Sequence, residues 1–219
     1  MFQGWLIMLS ERTKQIIYEA ANAVTHGIAF IISIILSAML VSKAVRDGLS
    51  NTAIVSLIIY SVTVCGLYLA STLFHCLVFT RARRFFQILD HSNIFILIAG
   101  TYTPYCIVFL HSQAAYWLLA VIWGLSLAGI GFHILGHGKY QKIETTVYVI
   151  MGWLCLILGK ELYVALAPLG FWLLVTGGVI FTTGAIIYSF KRIPGLHLIW
   201  HFFVMGGTLA MFISIYMNV

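Results

Sequence analysis

The chain has 219 residues, 62% of them hydrophobic and only 8% charged, with 12 basic and 6 acidic side chains. A soluble domain carries about 25% charged and about 45–50% apolar residues, so a water-exposed surface of this size is excluded. Three prolines and four cysteines also exclude collagen-like and disulfide-framework chains, which leaves a polytopic membrane protein.

A transmembrane helix needs about 20 apolar residues. Seven such runs follow one another: Ala21–Val41, Thr52–Phe79, Leu89–Leu110, Ala114–Leu135, Thr145–Leu166, Leu169–Phe190 and Leu196–Met217. They do not alternate with period two, so a membrane β-barrel is not expected. The predicted fold is all-α and integral to the membrane: a seven-transmembrane helix bundle, one domain over residues 1–219 with no room for a soluble module. The first twenty residues are weakly amphipathic and lack the basic start and small-residue cleavage site of a signal peptide, so they are expected to be retained.

Charge sets the orientation. Arg12, Lys14, Arg81, Arg83, Arg84, Lys139, Lys142, Lys191 and Arg192 fall on one side, and Lys43, Arg46 and Lys160 on the other. The positive-inside rule puts the N-terminus in the cytoplasm and the C-terminus outside. The net charge of +6 then follows from topology and calls for anionic lipid rather than nucleic acid as partner. The cysteines (Cys65, Cys76, Cys106, Cys155) all lie within spans and read as small buried thiols.

Ionisable groups inside spans are costly, and they face a bundle interior or a water cavity. Glu19 and His26 lie at the start of span one, His75 one turn inside the end of span two, Asp90 and His91 at the start of span three, and His197 and His201 at the start of span seven. All fall toward the same leaflet, and this common depth makes them a candidate site. His197 and His201 are i, i+4 partners whose imidazoles leave one helix face, a geometry suited to two ligands of one Zn²⁺. Ser71 and His75 share that spacing. With His75 as a third ligand the set matches a catalytic zinc site with an open position, and Asp90 is the carboxylate that would hold a water and accept its proton. Ser71 is a hydroxyl within reach of a ligand, the water or a substrate carbonyl. Glu19, Asn22 and His26, at i, i+3 and i+7, form a polar stripe that could support the site from behind or simply begin a helix.

Other polar residues read as structural. His133 and His137 repeat the i, i+4 spacing at a glycine-rich helix end, where interfacial snorkelling or capping is expected. His91 and Asn93 flank Asp90 but should face away from it. Pro104 should kink span three, with Thr101 or Thr103 meeting the freed carbonyls. Gly177-Gly178 and Gly206-Gly207 should mark close helix contacts.

In these segments the chain resembles the bacterial hemolysin III branch of the progestin and adipoQ receptor family. The matching stretches are Glu19 through Asn22 to His26-Gly27, Ser71 to His75, Leu89-Asp90-His91-Ser92 into Ala99 to Pro104, and Lys191 to Pro194 through His197 to His201. The order of the set, spread over nearly the whole chain, makes it specific. The pattern is also similar to that of alkaline ceramidases. The resemblance implies a seven-helix bundle with a cytoplasmic N-terminus, in a bacterial inner membrane. It implies zinc on His75, His197 and His201, the water-holding carboxylate at Asp90 and the hydroxyl at Ser71, and a link to membrane-lipid homeostasis.

Three functions remain open at this stage. One is a zinc-dependent intramembrane hydrolase of a lipid amide or ester, with a membrane lipid as substrate. The second is a non-enzymatic sensor or receptor with a structural zinc. The third is a hemolysin-type pore, against which stands the confinement of polar groups to one leaflet.

Overall fold

Serines begin three of the helices. Ser10, Ser50 and Ser112 each accept a hydrogen bond from the backbone N–H three residues on, at 3.2, 3.3 and 3.2 Å, which satisfies one of the donors that a helix start leaves bare. In the computed structural model, which describes residues 10–189 and 195–219, these caps open α1 (Glu11–Arg46), α2 (Asn51–Cys76) and α4 (Gln113–Leu135). The remaining helices are α3 (Arg83–Pro104), α5 (Gln141–Trp153), α6 (Gly159–Ala165), α7 (Pro168–Tyr188) and α8 (Leu196–Asn218). A π-helical stretch, Tyr105–Leu110, extends α3, and a 3₁₀ stretch, Leu154–Leu158, joins α5 to α6.

Taken with these extensions, seven helices among the described residues are long and apolar enough to cross a membrane. The first is longer than its apolar run, since residues 11–20 continue it as regular helix, and the second stops at Cys76 rather than Phe79. The expected end of the sixth span at Phe190, the basic pair Lys191 and Arg192, and residues 1–9 lie outside the described residues. Burial is inverted relative to a soluble protein: Ile31 and Ile35 on α1 stand exposed while Asn22 and Ser33 on the same helix are buried. An apolar solvent rewards that arrangement, because polar groups have partners only inside the bundle.

Successive helices pack side by side through α4, α7 lies along α8, and α1 closes on α8. α7 and α8 touch closely at glycine: a side chain on Gly207 would meet the Phe181 ring at 2.6 Å, and one on Gly177 would meet Met211 Cγ at 2.9 Å. Pro104, where a kink is expected, ends the α-helical part of the third span. The helix changes to π geometry after it, and Thr101 and Thr103 donate to the Leu97 and Ala99 carbonyls, each at 2.8 Å. Neither hydroxyl reaches the Gly100 carbonyl that the proline leaves free, because each binds the carbonyl one turn before itself. The break in the fifth span is stabilised from α3. The Tyr102 hydroxyl donates to the Met151 carbonyl at 2.7 Å and accepts from the Cys155 N–H at 2.8 Å, so backbone groups released by the break are satisfied within the bundle.

Candidate metal centre

The start of α1, the end of α2 and the start of α8 meet at one end of the bundle. Gly195, at φ +89, turns the chain into α8 through a left-handed conformation that other residues adopt only with strain. His197 then lies in the first turn and His201 one turn deeper. His75 arrives from α2, one turn after Ser71.

The structure brings His75, His197 and His201 together, with one ring nitrogen of each within 4.8 Å of the others. The closest pair is His75 Nε2 and His197 Nε2 at 3.1 Å. Two nitrogens on one tetrahedral Zn²⁺, each about 2.0–2.1 Å from it, lie roughly 3.3 Å apart, so this pair is already spaced for a shared ion. Without one, His197 Nε2–H can donate to His75 Nε2 across the same gap.

The far sides of two rings are held. His75 Nδ1 lies 2.7 Å from Glu19 Oε2, where a neutral ring donates to the carboxylate. That leaves the Nε2 lone pair facing His197. Thr25 gives its hydroxyl hydrogen to the Asn22 carbonyl at 2.9 Å, so its oxygen accepts from His201 Nδ1 at 3.1 Å. His201 Nε2 is thereby also left with a lone pair. Partners of this kind fix the tautomer and ring orientation of metal-binding histidines. The donor set therefore fits a metal ion: three neutral imidazoles, two with oriented lone pairs, from two helices.

Asn22 and His26 stand beside this group on α1, both buried. The His26 ring stacks on His201 with centroids 3.5 Å apart and planes 12° apart, which places it against one of the three converging rings rather than among them. Thr25 was not among the expected site residues. Its only sequence signal is its place one turn after Asn22.

His197 and His201 line a cavity of about 140 Å³, and so do His26, Ser71, Asp90 and His91; His75 does not. Asp90 and Ser71 thus share a chamber with two of the three histidines. The Asp90 carboxylate lies 3.7 Å from His91 Nδ1, an ion-pair distance longer than a hydrogen bond. His91, expected to face away from Asp90, lines the same chamber, and its ring stacks with that of His133 on α4 with centroids 5.2 Å apart.

His133 requires a second correction. It is not an interfacial cap but a buried residue whose Nδ1 lies 3.0 Å from Glu144 Oε1, with side-chain exposures of 4% and 2%. Its i, i+4 partner His137 is exposed, at the helix end where both were expected. Glu144 falls one residue before the apolar run of the fifth span and so reads as part of a connection, whereas the helix has already begun at Gln141.

Comparison with known proteins gives a consistent family. A family model described as "Haemolysin-III related" matches residues 14–212. The chain is 41% identical to "Hemolysin-3" of Bacillus cereus over 207 residues, 94% of each chain. It is 43% identical to the "Hemolysin-3 homolog" of Bacillus subtilis (strain 168) over 197 residues, 90% of this chain and 92% of the relative. A more distant similarity, 27% over 212 residues, covers 94% of this chain and 86% of the human "Monocyte to macrophage differentiation factor".

Proposed function

The chain belongs to the haemolysin-III-related family of multi-pass membrane proteins, and from that premise we propose that it is a zinc-dependent hydrolase acting within the bilayer on a lipid amide or ester, with a role in membrane-lipid homeostasis. One observation carries this reading: three imidazoles converge from α2 and α8, and two of them are oriented from behind by Glu19 and Thr25. Three nitrogen donors with room for a fourth ligand suit Zn²⁺. Bound there, zinc supplies Lewis acidity at neutral pH next to the cavity.

The remaining roles belong to this chain's own side chains. Glu19 holds the His75 ring, and Thr25 with the stacked His26 holds His201. Asn22 sets the Thr25 hydroxyl through its carbonyl. Asp90 takes the proton from a water as it adds to the lipid carbonyl carbon, then returns it to the leaving nitrogen or oxygen as the C–N or C–O bond breaks. Ser71 donates to the carbonyl oxygen. The apolar cavity wall holds the acyl chain and excludes bulk water. The uneven division of basic residues, nine against three, supports a cytoplasmic position for this end of the bundle.

Elemental analysis of purified wild type and His197→Ala, followed by lipid-amide turnover before and after metal removal, tests the reading. Stoichiometric zinc in wild type only, with turnover lost on removal and restored on reloading, is expected. A wild type without zinc, or turnover indifferent to its removal, overturns it.

A second reading has its own observation. The three histidines tie α2 to α8, so a metal would also clip the bundle of a non-enzymatic sensor. That reading expects His201→Ala to lower the melting temperature with no turnover to lose. A pore has less support, because the cavity's ionisable groups gather at one end.

A further inference from the structure

Basic side chains gather at one end of the bundle without acidic partners. Arg81, Arg83 and Arg84 stand where the connection from α2 enters α3, and Lys139 and Lys142 where the connection from α4 enters α5; all five are exposed. None of them forms an ion pair among the described residues. By contrast, Lys14 pairs with Glu11 at 2.6 Å and Lys43 with Asp47 at 2.9 Å. The first acidic residue after Lys142 is Glu144, which is turned inward against His133 and lines the cavity.

The two connections meet. Arg84 Nη2 lies 3.3 Å from His137 Nδ1, so the basic residues of both share one surface. His137, at φ +53, and Gly138, at φ +69, turn the chain off the end of α4 through left-handed conformations. Thr80 fixes the opposite turn: its hydroxyl donates to the Leu77 carbonyl at 2.8 Å and accepts from the Ala82 N–H at 3.2 Å. A single contact to His137 leaves most of the guanidinium donors of Arg84 unused. Arg83 and Arg84 also lie in the first turn of α3, which holds no acidic residue and no capping side chain. Cations there oppose the helix dipole, so their placement is unfavourable until an anion sits beside them.

Large apolar side chains stand open beside these charges: Phe85 of α3, Leu135 of α4 and Ile143 of α5 are 62%, 82% and 52% exposed. A soluble anion needs only the charges. An amphiphile uses both parts, its phosphate against the cations and its acyl chains against the apolar rim. The positive-inside rule accounts for basic residues on this side of the membrane, but not for five of them left without acidic partners on two adjoining turns.

We propose that this surface is a binding site for an anionic phospholipid of the adjoining leaflet. Arg83 and Arg84 take the phosphate through charge-assisted hydrogen bonds, Lys139 and Lys142 add charge from the facing turn, and the acyl chains lie along Phe85 and Leu135. A lipid bound there clamps the ends of α3, α4 and α5, the helices that carry Asp90, His133 and Glu144, and so steadies the polar end of the cavity. The site is independent of the hydrolase reading, since neither metal nor turnover enters it.

The test counts bound lipids. Purified full-length protein in detergent is titrated with dioleoyl phosphatidylglycerol and dioleoyl phosphatidylcholine, and occupancy is read by native mass spectrometry. Phosphatidylglycerol should bind at least about tenfold more tightly. Arg83→Gln combined with Arg84→Gln should weaken it by about tenfold while leaving phosphatidylcholine within about twofold of wild type. Arg12→Gln combined with Lys14→Gln removes as much positive charge from α1 and should leave phosphatidylglycerol binding within about twofold. Lys139→Gln combined with Lys142→Gln, on the facing turn, gives the same reading as the arginine pair should that pair not fold. Equal binding of the two lipids by wild type overturns the proposal. So does an equal loss from the α1 pair, which would reduce the effect to general charge attraction. Displacement of phosphatidylglycerol by millimolar inorganic phosphate would make this a site for a soluble anion, and overturns it as well.

Discussion

Glu19 on α1 holds His75 on α2 through a contact of 2.7 Å between Oε2 and Nδ1, with the carboxylate 15% exposed and the ring 3%. The contact spans 56 residues of sequence and sets which nitrogen of His75 faces the other two histidines.

Glu19→Ala should therefore weaken metal binding without removing a ligand. Loss of such outer partners costs about 10–100-fold in affinity. Competition with a chelator of known affinity, on wild type and variant, measures it. An unchanged affinity would show that Glu19 does not orient the ring.

Asp90→Asn separates binding from chemistry. Asp90 is not one of the three converging groups, so the variant should retain stoichiometric metal. Loss of a positioned base should lower turnover by about 10²–10⁴-fold. A variant as active as wild type removes Asp90 from the proposed mechanism, and one that has lost its metal makes it a ligand instead.

His133 and Glu144 pair across α4 and α5 with almost no exposure. Removing one partner from such a pair leaves the other buried and unmatched. Glu144→Leu and His133→Leu should each destabilise by about 3–5 kcal/mol, and the double variant by less than the sum. Thermal or denaturant unfolding of the four proteins gives the coupling directly. Simple additivity would mean that the contact contributes nothing.

Gly207 faces the Phe181 ring, where an added Cβ would come within 2.6 Å. Gly207→Val should force α7 and α8 apart, at a cost typical of overpacking, about 1–3 kcal/mol. The readout is the melting temperature of the purified protein. No change would mean that Phe181 turns aside freely.

Some residues were legible in the chain and others were not. The i, i+4 spacing of His197 and His201 follows from helix geometry, so their common face could be read directly. That His75 joins them follows less directly, from its depth near a helix end. Thr25 and Glu144 could not be found this way. Thr25 meets His201 across 176 residues and Glu144 meets His133 across a turn between spans, and both pairings depend on how neighbouring helices are rotated about their axes. For α4, whose apolar residues surround the helix almost evenly, sequence periodicity carries little information about that rotation. The expectation that His133 would be an interfacial cap failed for this reason.

By itself, the sequence determined the membrane class, the seven spans and the family, because these rest on local composition, run length and ordered motifs. Tertiary structure alone decided that Glu19 and Thr25 orient two imidazoles, that His26 stacks on one of them, and that Asp90 and Glu144 line one cavity. Those contacts join residues from different helices, and in an apolar solvent their choice is made by close packing and by buried polar groups finding partners.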